Sequence, residues 1–296
     1  MSGTQCGFCA IIGAPNAGKS TLVNQLAGSK VSIVSHKVQT TRARLRAIFM
    51  EGASQVVVVD TPGIFSPKRK LDEAMVENAW SGSAEADVTV FLADARLGRN
   101  DDVMRIIDGL KKSGTNALLA LNKVDLLRRE VLLEISKRFN EAYEFTDTFM
   151  ISALKGSGVD DLRKKIASLM PVGPWLYPED QAADVQLRFL ASEVTREKIY
   201  LRLHEELPYA STVETETWEE KKDGAVKIGQ VIYVERDSQK AIVLGKGGQM
   251  IKLLGQLARE ELEKSLERRV HLFLFVKVRE NWTEDPERLR MMGLGN

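Results

Sequence analysis

Hydrophobic residues in the first 170 positions come in short dense runs: FCAII (8–12), VVVVD (56–60), VTVFLAD (88–94), ALLALNKVD (117–125) and FMISA (149–153). Several are continuously apolar, as strands covered on both faces should be. Between them, VMRIIDGLKK (103–112) and VLLEISKRF (131–139) repeat apolar residues at helical spacing. Strand and helix alternating in this way predict a doubly wound α/β domain with a mostly parallel sheet.

The pattern breaks at MPVGPWLYPEDQAAD (170–184), where Pro171, Pro174 and Pro178 stop any continuing helix or strand, as a linker would. A helix follows near Ser192, with Ile199, Leu203 and Leu207 at four-residue spacing. Next come an alternating strand, STVETETW (211–218), and a more apolar one, AVKIGQVIYVE (225–235). A glycine-rich turn, LGKGG (244–248), opens an amphipathic helix. Ile251, Leu254, Ala258 and Leu262 share one face of it; Lys252, Arg259, Glu260 and Glu263 share the other. The last strand, VHLFLFVKV (270–278), sets Val270, Leu272, Leu274, Val276 and Val278 on one side. The expected order is helix, two strands, two helices (the first short or absent), strand, an α+β domain. The expected division is 1–172 for the first domain, 173–186 for the linker, 187–280 for the second domain and 281–296 for a tail. That tail either packs on the second sheet or awaits a partner. There is no internal repeat and no low-complexity tract.

The length, 296 residues, suits two domains. Apolar residues at 44% and charged residues at 28% are ordinary for a globular chain, and no run approaches the roughly 18 apolar residues of a membrane span. The N-terminus has no basic signal region and no Arg-rich transit pattern, so the cytoplasm is the expected location. Net charge is +1, with +4 up to Gly173 and −3 beyond it. Any nucleic-acid site must then be a local patch. Cys6 and Cys9 form a CxxC without a second pair or a nearby His, and three-residue spacing on a strand points them to opposite faces. Core packing is expected for both.

GAPNAGKS (13–20) has the G-x-x-x-x-G-K-[ST] form between a strand and a helical pattern. Gly13, Ala14, Pro15, Asn16, Ala17 and Gly18 would curl backbone N–H groups around phosphate, with Lys19 reaching the outer phosphates and Ser20 holding Mg²⁺. Asp60 ends an apolar strand, where ligands meet an open sheet, and suits an Mg²⁺-binding carboxylate. In DTPG (60–63), followed by Ile64, Thr61 and Pro62 shape the turn and Gly63 offers its N–H to the terminal phosphate. NKVD (122–125) selects the base: Asp125 accepts from guanine N1–H and N2–H₂, donors that adenine lacks. Asn122 braces the loops and touches the base, Lys123 covers the purine with its stem, and SAL (Ser152, Ala153, Leu154) supplies N–H groups to the base carbonyl. Between these motifs, VSIVSHKVQTTRARLRA reads as a switch ordered by the γ-phosphate. Within Gln39, Thr40, Thr41 and Arg42, Thr41 is the favoured Mg²⁺ ligand and Thr40 the fallback. His36 has no assigned role. In the second domain, Gly245, Lys246, Gly247 and Gly248 form a G-x-x-G loop that can clamp a sugar-phosphate chain, with bases lying near Ile251 and Lys252.

GAPNAGKS, QTTR (39–42), DTPG, NKVD and SAL, in this order, resemble the translation-factor-like class of bacterial GTPases. LGKGGQMI (244–251), QLRFLASEVTREKI and ELPY (206–209) narrow the resemblance to the Era family, in which a GTPase domain precedes one C-terminal KH domain of the bacterial type, type II. The resemblance implies an α/β P-loop GTPase domain followed by an α+β type II KH domain. It implies a monomeric GTP hydrolase using GTP, GDP and Mg²⁺. It further implies small-subunit assembly, contact with the 3′ region of small-subunit ribosomal RNA, and peripheral association with the inner face of the plasma membrane. Ile64 stands where the best-known GTPases carry a water-orienting glutamine, and Era-like members resemble one another in having an apolar residue there. Isoleucine cannot orient water, so slow intrinsic hydrolysis is expected, with stabilisation from a ribosomal partner or from K⁺. Asn16 matches the K⁺-holding asparagine of some related GTPases, and it is equally a favoured turn residue. The rival readings are a GTP-driven RNA-modification enzyme and a membrane-signalling GTPase. Three scattered histidines without a nucleophile–base pair count against the first, and the absent lipidation motif against the second.

Overall fold

The computed structural model describes residues 3–34, 45–65, 67, 70–179, 183–184, 187–204, 207–280 and 282. They fall into two compact units: the described residues of 1–32 and 41–184 form one, and those of 33–40 and 185–291 the other.

The first unit runs β1 (Gln5–Ile12), α1 (Lys19–Ala27), β2 (Leu45–Glu51), β3 (Ser54–Asp60), α2 (Lys70–Ala84), β4 (Val88–Asp94), α3 (Asp101–Ser113), β5 (Ala117–Asn122), α4 (Arg129–Ala142), β6 (Thr148–Met150), α5 (Val159–Ser168) and β7 (Ala183–Asp184). The sheet order is β6-β5-β4-β1-β3-β2-β7. The five strands from β6 to β3 are parallel, while β2 and β7 add an antiparallel edge. Every residue of β3, β4 and β5 is buried, which is why those segments are unbroken apolar runs.

Helix α3 illustrates how the sequence sets its own limits. The Asn100 side chain accepts the Val103 N–H at 3.0 Å, Asp101 and Asp102 sit in the first turn, and Lys111 and Lys112 in the last. These charges complement the helix dipole, and the cap contributes about 1 kcal/mol. Gly114, left-handed at φ 63°, ends the helix. Val103, Ile106, Ile107 and Leu110 then pack with Phe91 and Phe139 in the core.

Two strands were not among those expected. β2 occupies the end of the stretch read as a switch, and β7 lies inside the proline-rich linker. That linker is tied down. The Gln55 side chain accepts the Leu176 and Tyr177 N–H groups at 2.9 and 3.0 Å and donates to the Tyr177 carbonyl at 2.8 Å. Trp175 Nε1 donates to the Ala53 carbonyl at 3.1 Å. Cys6 and Cys9 are free and buried, and burial pushes the Cys9 thiol up to about 12, leaving it inert.

The second unit contains α6 (Leu187–Arg202), β8 (Ser211–Glu220), β9 (Val226–Val234), α7 (Asp237–Leu244), α8 (Gln249–Leu266) and β10 (Val270–Val278). The central strand β9 is antiparallel to β8 and parallel to β10. Parallel neighbours need a crossover, and α7 with α8 supplies it. Helix α7, expected to be short or absent, has eight residues; the Gln239 side chain accepts the Glu235 and Arg236 N–H groups at its start. Leu254, Ala258 and Leu262 of α8 are fully buried, whereas Ile251, expected on the same face, is only partly covered. Val270 of β10 is buried and Leu272, Leu274, Val276 and Val278 are partly buried. Phe273, Phe275 and Lys277 are exposed, as alternation predicts. Among the described residues no helix is long and apolar enough to cross a membrane.

Candidate functional site

The C-terminal ends of β1, β3, β4 and β5 carry Ile12, Asp60, Asp94 and Asn122, and the loops leaving them meet at one edge of the sheet. Between β1 and α1, the phosphate loop tolerates no side chain at two positions. A Cβ on Gly13 would lie 2.4 Å from the Leu92 carbonyl oxygen. Gly18 has φ 101°, and its Cβ would lie 2.4 Å from Asn122 Nδ2. Helix α1 starts without a side-chain cap, so its first N–H groups and dipole are directed at the loop, a ready anion site. Lys19 is buried and donates to the Gly13 and Ala14 carbonyls at 3.1 and 3.0 Å. Burial pushes its ammonium down to about 8, against the charge of Asp60. An anion in the loop would restore full protonation.

Ser20 Oγ donates to Asp60 Oδ2 at 3.1 Å, and Ser32 Oγ donates to the same oxygen at 2.6 Å. Asn24 of α1 fixes Ser32 in turn: its Oδ1 accepts the Val31 and Ser32 N–H groups, each at 2.8 Å, and its Nδ2 donates to the Ser32 carbonyl at 2.7 Å. One hydroxyl and one carboxylate converging beside a phosphate loop suit Mg²⁺, which takes few protein oxygens and keeps water and phosphate. Among the described residues no group of three His, Cys, Asp or Glu could hold a metal by itself. Gln39, Thr40, Thr41 and Arg42 lie outside the described residues, as does His36.

The DTPG turn packs tightly. Thr61 Oγ1 donates to the Ile11 carbonyl at 2.7 Å. Gly63 lies against Pro15, whose backbone nitrogen would be 3.1 Å from an added Cβ, so its missing side chain lets this turn approach the phosphate loop. Ile64 donates its N–H to the Gly13 carbonyl at 3.1 Å and buries its side chain completely with Ile12, Ala79 and Phe91. It is an anchor for the turn and faces the core.

At the base-selecting loops, Asn122 is 2% exposed. Its Nδ2 donates to the Ala17 carbonyl at 2.8 Å and its Oδ1 accepts the Ala153 N–H at 2.9 Å, tying the phosphate loop to the SAL loop. A hydrogen bond from Ser152 holds the Asp125 carboxyl below its usual range, aided by Lys155 at 3.4 Å. Asp125 is thus ionised and ready to accept. Of the three SAL residues expected to face the base carbonyl, Ser152 gives its N–H to Ser157 at 2.9 Å and Ala153 gives its own to Asn122. Both bonds tie the SAL loop to its surroundings.

Three residues of this site were not singled out in the sequence: Asn24, Ser32 and Asp94. Asp94 accepts the Arg96 backbone N–H and Nε, each at 3.0 Å, Arg96 Nη2 at 2.7 Å, and Lys123 Nζ at 2.8 Å. Burial pushes Asp94 up, but these bonds outweigh it and hold the carboxyl below its usual range. A signal was present, since Asp94 ends an apolar strand just as Asp60 does.

In the second unit the G-x-x-G loop joins α7 to α8. Gly245 has φ 71°, and an added Cβ would sit 2.7 Å from Met250 Cβ, whereas Gly247 and Gly248 border open space. Helix α8 again starts with no side-chain cap, leaving N–H groups for phosphate oxygens. A groove of about 460 Å³ runs between α8 and β10. Ile251 and Lys252, the residues expected near the bases, line it together with Gln256, Arg259 and Phe273, which the sequence did not single out. Gly255 also lines it; a mid-helix glycine costs about 1 kcal/mol and here keeps the wall low.

Comparison with known proteins agrees with both halves. Residues 8–123 match the family described as 50S ribosome-binding GTPase, and residues 206–283 match the KH domain family. The GTPase Era of Brucella suis biovar 1 (strain 1330) is 61% identical over 98% of this chain and 94% of its own length. The GTPase Era of Rhizobium meliloti (strain 1021) is 60% identical over 98% of this chain and 93% of its own. A crystal structure of Era in complex with MgGDPNP and nucleotides 1506–1542 of 16S ribosomal RNA superposes with a TM-score of 0.93, at 38% identity, covering 98% of this chain and 99% of that one. A phosphate loop followed by DTPG, NKVD and SAL, a G-x-x-G groove, and identities of 61% and 60% over 98% of the chain converge on one conclusion: the chain belongs to the Era family of GTPases.

Proposed function

We infer that this chain is a GTP-controlled RNA-binding factor of small ribosomal subunit assembly, in which hydrolysis of GTP ends an interaction with the 3′ region of 16S ribosomal RNA. The carrying observation is that one chain ties a phosphate loop to the NKVD and SAL loops through Asn122 and, in its second unit, joins a G-x-x-G loop to an uncapped helix that lines a groove. The full-length structural neighbour holds both MgGDPNP and 16S RNA. The name of the broad family matched by residues 8–123 refers to the large subunit. The neighbour covers both units, so its RNA is the better guide.

In this reading Gly13–Ser20 cradle the phosphates, Lys19 neutralises them, and Asp125 reads the base. Ser20 and Asp60 would hold Mg²⁺, which supplies charge neutralisation between the phosphate oxygens. Thr41 would report the γ-phosphate. Ile64 contributes no water-orienting group, so turnover without a partner is slow. A K⁺ ion held by Asn16 is the proposed substitute; equal GTP turnover in K⁺ and Na⁺ at one ionic strength would remove it. In the second unit, Gly245–Gly248 with Lys246 would clamp the sugar-phosphate chain and Lys252 would lie beside the bases. The protein is proposed to act as a monomer in the cytoplasm; peripheral membrane contact is not part of this reading.

The deciding experiment measures binding to a single-stranded RNA copying the 3′ end of 16S ribosomal RNA, with a non-hydrolysable GTP analogue and with GDP, against a scrambled RNA. Sequence-dependent binding that is tighter with the analogue is expected. Equal binding of both RNAs in both states would overturn the reading.

A further inference from the structure

The guanine-selecting motif contributes Lys123, and the structure shows what holds this lysine. Its backbone is left-handed at φ 65°, a conformation that costs a non-glycine residue on the order of 1 kcal/mol. Its Nζ bridges two acceptors in different loops: the Asn16 carbonyl at 2.6 Å and Asp94 Oδ2 at 2.8 Å. Asn16 is left-handed too, at φ 62°. The ammonium therefore joins two strained loop positions to a carboxylate that is 4% exposed.

Asp94 is well placed to hold it. It is the last residue of β4 and pairs in register with Asn122, the last residue of β5 and the neighbour of Lys123 in sequence. The Ala95 N–H donates to the Asn122 carbonyl at 3.0 Å, which fixes the two strand ends. Arg96, itself 42% exposed, bonds Asp94 Oδ1 through Nε and Oδ2 through Nη2, a contact separate from the one to Lys123.

We propose that Asp94 is a positioning residue for guanine-nucleotide binding, acting through Lys123. It holds the lysine stem as a rigid cover for the purine and draws the Asn16 turn of the phosphate loop towards the base loops. This inference rests on the reading of the first unit as a guanine-nucleotide site. Without the carboxylate, Lys123 keeps one anchor and its long side chain regains rotamer freedom, so both GTP and GDP bind more weakly. The chemistry at the γ-phosphate is untouched, because Lys19, Ser20 and Asp60 keep their bonds.

The test uses the full chain and Asp94→Asn, with GDP binding and GTP turnover as readouts. A hydrogen bond between ionised groups in a largely buried position is worth roughly tenfold or more in affinity. The expected result is an increase of about tenfold in the GDP Kd and the GTP KM, with kcat unchanged. Asp94→Glu should restore part of the loss. On a Lys123→Ala background, Asp94→Asn should cost nothing further, since the interaction it removes is already gone. Arg96→Ala separates the two partners of Asp94 and should leave nucleotide affinity within about twofold of the parent. If Arg96→Ala reproduced the loss, or if the Asp94 and Lys123 effects simply added, Asp94 would be a structural residue of the β4 turn and the proposal would fall. A guanine reading that was itself wrong would show differently, as equal affinity for GDP and ADP in the parent chain.

Discussion

Asp125→Asn is expected to move the preference of this protein from guanine to xanthine nucleotides. In the proposed reading the carboxylate would accept from both N1–H and N2–H₂ of guanine. An amide keeps one acceptor but turns an N–H₂ donor towards the guanine N2–H₂, setting donor against donor. Xanthine carries a carbonyl at that carbon, so the amide donor is satisfied again. Sites that hydrogen-bond a substrate group reject analogues lacking it by about 10⁴-fold. A fall in GTP affinity of about 10²- to 10³-fold, with a matching gain for XTP, is therefore expected. Asp125 is itself only partly buried and its partners are polar, so the melting temperature should stay within about 2 °C. Competition of unlabelled GTP and XTP against a fluorescent nucleotide checks it. A variant still preferring GTP would show that the base is read elsewhere.

The double substitution Lys246→Asp with Gly247→Asp should abolish most RNA binding and leave the first unit working. Gly247 is left-handed at φ 59° and faces open space, and Asp is among the few side chains that tolerate this conformation. The loop should then keep its shape while exchanging one positive charge for two negative ones beside the sugar-phosphate chain. A loss of about 100-fold or more in affinity for the 16S 3′-end RNA is expected, with unchanged GTP turnover in the absence of RNA. Gly245 is the wrong target, because any side chain there strikes Met250 and would unfold the loop. Retention of full RNA affinity would exclude the G-x-x-G loop from the interface.

The two sites differ in how much of them was legible beforehand. The phosphate loop, DTPG and NKVD are runs of consecutive residues, and consecutive residues on a turn necessarily act together. Their places at strand ends followed from the apolar runs before them, and the structure puts Asp60 and Asn122 at the ends of β3 and β5. The second domain's order followed from alternation in β8 and β10 and from the helical face of α8. Ile64 was read only by what it lacks. The structure adds what it does, which is to fill the core beside Phe91 and pin its turn to Gly13.

Composition, hydrophobic period and local motif were enough to determine the two-part architecture, the guanine-nucleotide chemistry and the G-x-x-G loop, because each depends on neighbours in the chain. Tertiary structure alone decided the rest. β2 runs out of the stretch read as a switch and is defined by its antiparallel pairing with β3, while β7 is a two-residue edge strand defined by its pairing with β2, too short to carry a signal of its own. Asp94 meets Lys123 across adjoining strands, 29 residues away. Arg259, on a face that periodicity marked as solvent, lines a groove because β10 comes to lie beside α8. Asn122 bonds Ala17 and Ala153, 105 and 31 residues away, and so joins loops that the sequence keeps apart. In each case a side chain's task depends on a partner distant in sequence, and only packing brings the two together.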